Sequence, residues 1–224
     1  MQRILDILLS GLALLMLSPL LIPIVIALRL TGEGEIFFVQ QRIGRGGNPF
    51  GLYKFATMLK NSPNLGTGTV TVKDDPRVLP MGKLLRKTKI NELPQLLNIL
   101  SGDMSIVGPR PQTRRCFDAF PATSQAEIIK VRPGLSGVGS IIFRGEEDMM
   151  HANKDPDHFY DHVIMPYKGK LEEWYVANQS LWTYLKCVFV TAWAVVFPGS
   201  MIVWRVFAKL PEPPAELAEN LVRA

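Results

Sequence analysis

The residues able to do chemistry concentrate between Gly82 and Pro111. Arg77, Lys83, Arg86, Lys87 and Lys89 form a cationic run with no acid among them, and Asn91-Glu92 then opens the apolar series Leu93, Leu96, Leu97, Ile99, Leu100. That spacing predicts a helix beginning at Asn91, with Asn91 as N-cap, Pro94 in the first turn and Ser101-Gly102 as the stop. Free amides and the positive end of the helix dipole favour anions at such a terminus, and the Arg86 fork suits phosphate. The chemistry expected is a phosphate held beside Glu92.

Phosphoryl transfer asks for neutralised non-bridging oxygens, positioned arginines and a hard cation. Arg86 is joined here by Arg110, which lies between two prolines, and by Arg132, which precedes Pro133-Gly134. Proline fixes φ, so both are presented from stiff backbone. Glu92 or Asp103 would help to hold Mg²⁺. Gly134-Leu135-Ser136-Gly137-Val138 misses the nucleophile elbow of serine hydrolases by one residue. His158 and His162, at i, i+4 with Asp161 adjacent, could meet as a zinc pair, but no third ligand stands at a zinc spacing, and a plain surface helix is the simpler reading.

A net charge of +5 over 224 residues points to an anionic partner, whether nucleic acid, phospholipid surface or phosphorylated substrate. A mean hydropathy of +0.14 favours the membrane among these. No recognition helix or stacking aromatic set accompanies the basic run, so nucleic acid is not expected. Cys116 and Cys187 have neither metal spacing nor the density of a disulfide framework.

The elements that must position these residues begin with the uncharged stretch Ile7 to Leu28, about long enough to span a bilayer. Pro19, after Ser18, removes the bond to the Leu15 carbonyl, and Pro23 removes another, so a sharp bend or break is expected at mid-helix. Arg3 precedes the stretch and Arg29, Arg42 and Arg45 follow it, and a helix that enters, turns at Ser18-Pro19 and leaves keeps both cationic flanks on one side. An ordinary spanning anchor is the alternative. Ile36 to Val39 and Val70 to Val72 read as short strands, Gly44, Gly46 and Gly47 as a tight turn near lipid headgroups, and Asp74 to Arg77 as a turn. Glu146-Glu147-Asp148 reads as a solvated face. From Leu171 the chain is rich in Trp, Tyr and Phe, and Val188 to Phe197 predicts an interfacial helix, with an aromatic core helix as the competing reading. The stretch after Pro211 reads as a linker and polar end.

In this order the features resemble the bacterial sugar transferases, the monotopic phosphoglycosyl transferases. The likeness runs through Ser18-Pro19, Gln41-Arg42-Ile43-Gly44, Tyr53-Lys54-Phe55, Asp75-Pro76-Arg77, Leu84 to Thr88, Glu92 to Leu96, Gly102 to Pro111 and Arg132-Pro133-Gly134, and covers residues 2 to 195. It implies transfer of a sugar 1-phosphate from a UDP-sugar to polyprenyl phosphate (undecaprenyl phosphate) at the cytoplasmic face of the bacterial inner membrane, releasing UMP and initiating a glycan or exopolysaccharide. It also implies Mg²⁺ held by Glu92, phosphate contacts from Lys54, Arg86, Arg110 and Arg132, and a catalytic pair at positions 91 and 92.

In that family the first member of the pair is an Asp that attacks the β-phosphate; here the position holds Asn91, a poor nucleophile at phosphorus. Ala56 likewise stands where an Arg is usual. The expected architecture is a mainly helical α+β monotopic membrane protein: a re-entrant helix over residues 1–30, a catalytic domain with interfacial helices over 31–198, and a tail over 199–224. The expected partners are UDP-sugar, polyprenyl phosphate and the phospholipid bilayer, with a homodimer left open. The alternative is a non-catalytic relative that binds the same ligands.

Overall fold

The computed structural model describes residues 1–65, 75–151, 155–207 and 209–222. The chain is mostly helical, with two small two-stranded sheets, and forms two compact units. One comprises Ile7–Gln41 and Gly51–Gly102; the other comprises Met1–Asp6, Arg42–Phe50 and Asp103–Ala224. The strand expected at residues 70–72 lies outside the described residues.

Helix α1 (Gln2–Leu30) is continuous through Pro19 and Pro23, so the expected break does not interrupt the helix. The reason is local. Pro19 has no N–H for the Leu15 carbonyl, and the Ser18 hydroxyl donates to that carbonyl instead at 2.7 Å. At about 1.5 Å per residue such a helix is long enough to cross a membrane. Its most apolar 18-residue window is only 6% buried, with Leu8, Leu12, Leu15, Met16 and Leu20 exposed. The two ends pack: Leu21, Ile24, Val25 and Leu28 line one stripe against Phe55 and Leu85, while near the start Asp6 and Ser10 are buried.

Strands β1 (Phe37–Ile43) and β2 (Pro49–Phe55) form the first sheet, turned by the 3₁₀ segment Arg45–Gly47, in which Gly46 and Gly47 have φ of 73° and 76°. The tight glycine turn is therefore as expected. Helix α2 (Pro80–Lys87), a 3₁₀ turn (Ile90–Glu92) and α3 (Gln95–Ser101) complete this unit, with Gly102 at φ 97° as the stop. Arg77, counted above with the cationic run, is 5% exposed and neutralised. Its guanidinium meets Asp75 at 2.8 and 2.5 Å and the carbonyls of Ser62 and Leu65 at 2.8 and 2.7 Å. Hydrogen bonds to Asp75 raise its pKa further.

The second unit starts from the parallel pair β3 (Ser105–Val107) and β4 (Gly134–Ser136). Between them lie α4 (Arg114–Asp118) and α5 (Ala122–Ile128); after them come α6 (Val138–Ile142), α7 (Glu146–His151) and α8 (Pro156–Phe159). A π-turn at Tyr160–Ile164 leads into α9 (Met165–Ala177). Pro166, which cannot donate to a preceding carbonyl, accounts for that widening. The core gathers Val138, Ile164, Met165, Leu171, Tyr175, Tyr184 and Val190 from these helices and from α10 (Leu181–Val196).

One face of α10 presents Tyr184, Cys187, Val190 and Ala194 to that core, while Trp182, Leu185, Phe189, Trp193 and Val196 stand exposed on the other. The core reading of this helix thus holds on one face, and the other face is apolar and exposed. The stretch after Pro211, read as a linker and polar end, is folded: α12 (Ala215–Val222) returns to the core, where Leu217 and Leu221 are buried, and ahead of it in the expected tail α11 (Ile202–Val206) buries Val203. Apolar side chains at i, i+4 explain why a short, otherwise polar segment docks.

Replacing Arg77 by Leu leaves the buried Asp75 without its guanidinium, whereas the Asp75→Asn, Arg77→Leu double variant removes both charges. Thermal unfolding in detergent is expected to give a lower Tm for the single than for the double variant; equal values would show that the pair is not buried as described.

Candidate functional site

Arg110 and Arg132 are placed by a crossing of bare backbone. A Cβ on Gly108 would lie 2.4 Å from the Arg132 carbonyl oxygen, one on Gly134 would lie 2.1 Å from the Gly108 nitrogen, and one on Gly137 would lie 2.2 Å from the Gly108 oxygen. No other residue fits where two chains approach this closely. The crossing is tied by bonds from Ser105 N to Pro133 O (2.9 Å), Gly108 N to Ser136 O (2.9 Å) and Gly134 N to Pro109 O (2.8 Å). The two arginine-bearing loops adjoin in consequence, with Arg110 exposed and Arg132 half-buried. The stiff backbone expected at both arginines from their prolines is reinforced by the neighbouring segment of the crossing.

The loop is braced from three further sides. The Tyr175 hydroxyl donates to Val107 O at 3.0 Å, the Arg42 guanidinium to Pro111 O at 3.1 Å and Ile43 N to Gln112 O at 2.9 Å. Arg42, read as a cationic flank of the apolar stretch, thus also braces the Arg110 loop. Beneath β3, Asp6 is 1% exposed and accepts from Ser105 Oγ (3.0 Å), Ile106 N (3.0 Å) and Tyr184 Oη (2.9 Å). A lone acid at the start of an apolar helix gave only a faint signal of this role. The near-elbow is structural: Gly134 and Gly137 serve the crossing, and Ser136 Oγ pairs with Thr191 Oγ1 at 2.7 Å.

Asn91 and Glu92 belong to the other unit, with Arg86 and Lys54. Arg86 ends α2, and its carbonyl accepts from Lys89 N at 3.1 Å. Lys89 then takes the left-handed conformation at φ 59°, a strained position for a side-chain-bearing residue. This reverses the chain into Ile90–Glu92. Asn91 is therefore not an N-cap: it sits in the 3₁₀ turn, ahead of α3, and makes no capping bond. The reason is Pro94, whose fixed φ starts the regular helix later than the apolar spacing suggests. Asn91 is 9% exposed, and its Oδ1 has no hydrogen-bond partner among the described residues. Glu92, beside it, is half-buried.

Lys54 stands on β2, half-buried and next to a brace that spacing alone does not reveal. Asn98, fully buried on α3, accepts from Tyr53 N at 2.9 Å and donates to Gly51 O at 2.8 Å. An Asn inside Leu-Leu-Asn-Ile-Leu was the available hint. Of the cationic run, Lys83, Lys87 and Lys89 are exposed and Arg86 is half-buried, while Arg77 is spent on Asp75.

Mg²⁺ takes oxygen ligands and needs only one or two from protein, with water and phosphate oxygens completing the shell. The orphaned Asn91 Oδ1 and the Glu92 carboxylate fit that requirement. Zinc would need more. Among the described residues no three His, Cys, Asp or Glu side chains converge, His158 and His162 are stacked at 4.2 Å, and Asp161 is engaged by Arg115 at 2.9 Å.

A family model described as "Bacterial sugar transferase" matches residues 1–198. The chain is 33% identical over 192 residues to a UDP-N-acetylgalactosamine-undecaprenyl-phosphate N-acetylgalactosaminephosphotransferase of Aeromonas hydrophila, covering 85% of this chain and 42% of that protein. It is 35% identical over 202 residues to a UDP-glucose:undecaprenyl-phosphate glucose-1-phosphate transferase of Escherichia coli K12, covering 89% and 40%. It is 35% identical over 208 residues to the exopolysaccharide production protein ExoY of Sinorhizobium fredii, covering 87% and 84%. The chain thus spans about two fifths of the length of the first two relatives and most of the third. The exposed apolar helix and relatives named for undecaprenyl phosphate together suggest membrane association.

The glycine crossing makes a sharp prediction. Gly108→Ala is expected to displace the Arg132 loop and lower Tm, at a cost of about 1–3 kcal/mol for an over-packed contact, while Gly199→Ala, with open space around its Cβ and no positive φ, disturbs neither loop. Limited tryptic proteolysis after Lys130, at the exposed edge of the Arg132 loop, and thermal unfolding check this.

Proposed function

The chain belongs to the bacterial sugar transferase family, and from that premise we propose that it transfers a sugar 1-phosphate from a UDP-sugar to a polyprenyl phosphate such as undecaprenyl phosphate. UMP is the leaving group, and the product begins a glycan or exopolysaccharide. The observation that carries this reading is the glycine-crossed pair of loops bearing Arg110 and Arg132, a preorganised cationic surface suited to phosphate oxygens. The names of the relatives support the substrate class.

The roles follow from the residues. Arg110 and Arg132 take non-bridging phosphate oxygens, where negative charge gathers as the β-phosphorus changes partners. In the other unit, Arg86 and Lys54 are the cations proposed to contact phosphate. Asn91 Oδ1 and Glu92 would hold Mg²⁺, which when bound neutralises diphosphate charge. An amide does not attack phosphorus at a useful rate, so the acceptor phosphate oxygen attacks the β-phosphorus directly. The bond formed is acceptor O to β-phosphorus; the bond broken joins β-phosphorus to the oxygen kept by UMP.

UMP release with a polyprenyl phosphate is expected to require Mg²⁺ and to stop with chelator. Arg110→Ala is expected to lower kcat/KM about 10²–10³-fold, the usual loss when one preorganised donor is removed. After incubation with UDP-sugar and Mg²⁺, intact-mass measurement is expected to show no adduct on this chain, and a phosphosugar adduct on the Asn91→Asp variant. An adduct on Glu92 would assign the attack to Glu92 and exclude the direct route; absence of UMP release across UDP-sugars would contradict the reading altogether.

The reading also places the enzyme at the cytoplasmic face of a bacterial inner membrane, with α1 bending near Ser18-Pro19 inside its continuous helix so that both ends stay on one side, and with the exposed stripe of α10 lying in the interface. A tail kept in lipid with its phosphate at the boundary suits that placement. Single cysteines near Arg3 and Thr31 are expected to react with an impermeant maleimide from the same side; labelling from opposite sides would make α1 a spanning helix.

A further inference from the structure

A buried acid that the transfer itself does not use lies in the unit carrying Arg110. Glu172, on α9, is 1% exposed, and neither carboxylate oxygen has a hydrogen-bond partner among the described residues. Its seat is cut for it: a Cβ on Gly139 of α6 would come 2.4 Å from Glu172 Oε1. A buried, unbonded carboxylate is costly, and proteins remove such a cost or use it.

The nearby cation does not quench it. Lys168, one turn earlier on α9 and 1% exposed, gives its ammonium to both oxygens of Glu146 at 2.8 and 2.9 Å and rests 5.3 Å from the centre of the Phe143 ring. From the loop after β3, the Arg110 backbone amide and, more weakly, its charge favour the carboxylate. From α9 and α10, Tyr175 and Cys187 also face it; burial pushes the Tyr175 hydroxyl up and the Cys187 thiol to about 12, so neither carries charge near neutrality. Gly139, from α6, brings nothing that titrates. Burial raises the Glu172 carboxyl to about 7, with Lys168 and then Arg110 limiting the rise.

We infer that Glu172 is a positioning residue that modulates how strongly Arg110 draws an incoming phosphate: as the carboxylate it competes with the phosphate for that charge, and as the neutral acid it does not. This rests on the reading that Arg110 binds the donor diphosphate. Linkage fixes the sign: an anion at Arg110 favours the protonated form of Glu172, and the protonated form favours the anion in equal measure. Donor binding should therefore weaken as pH rises through 7, within the range a cell can reach.

The test is the affinity of the full-length protein for UDP-sugar between pH 6 and 8, where a disubstituted diphosphate does not titrate. Wild type is expected to weaken about fivefold or more, the lower range of measured couplings, while Glu172→Gln binds at pH 8 as wild type does at pH 6 and loses the dependence. Because the folded carboxyl titrates above its ordinary value of 4.5, stability is lost as pH rises toward 7, so Glu172→Gln should also melt higher than wild type at pH 8 and alike at low pH. Should that variant fail to fold, the infrared carbonyl band of a protonated acid in wild type is expected to titrate near 7 and to shift to higher pH with UDP-sugar. Binding that keeps its pH dependence in Glu172→Gln, or a band unmoved by ligand, overturns the inference and spares the donor-binding reading. No binding at either pH overturns both.

Discussion

Two stretches of backbone pass within a distance that only glycine allows, and the arginine-bearing unit is arranged to keep them there. Gly108 meets Gly134 and Gly137 with no room for a side chain, and parallel-strand bonds lock the register on either side. Proline alone would stiffen each loop separately. The crossing does more: it fixes the loops against each other, so that Arg110 and Arg132 lose less freedom when they meet an anion. Asp6, Tyr175 and Arg42 hold the same crossing from below and from the sides. Side chains that look unrelated in the sequence share one mechanical task.

Charge in this chain is sorted by what faces it. Arg77 and Arg86 read alike in the sequence. Arg77 is turned inward onto Asp75, two residues away, whereas Arg86 stays half-buried at a helix end where a cation also suits the dipole. Lys168 is consumed by Glu146 while Glu172, one turn on, is left without a bond. Counting cations along the chain therefore overstates how many are available to an anionic ligand.

Local features were legible. The apolar helix, the glycine turn, the Gly102 stop and the stiff presentation of Arg110 and Arg132 follow from propensity and from fixed φ, which act within a few residues. The unbroken course of α1 was not, because it depends on one Ser18 hydroxyl answering the carbonyl that Pro19 abandons. Nor was the placement of Asn91, which turns on Pro94 and on a strained Lys89. Asp6, Asn98 and Glu172 draw their roles from partners far along the chain, and no periodicity encodes such contacts. Two buried leucines were enough to fold α12, a short segment whose prolines and charges suggested a loose end.

On the proposed reading, Arg110 and Arg132, carried on adjoining loops, grip one diphosphate together. The direct measurement is a double-mutant cycle on UDP-sugar binding, with Arg110→Lys and Arg132→Lys made singly and together. Shared grip predicts an interaction energy of about 0.5–3 kcal/mol between the two sites, since the second loss costs less once the first fork is gone. Losses that simply add would mean that the arginines serve separate ligands, and the crossing would then have no bearing on how the donor is held.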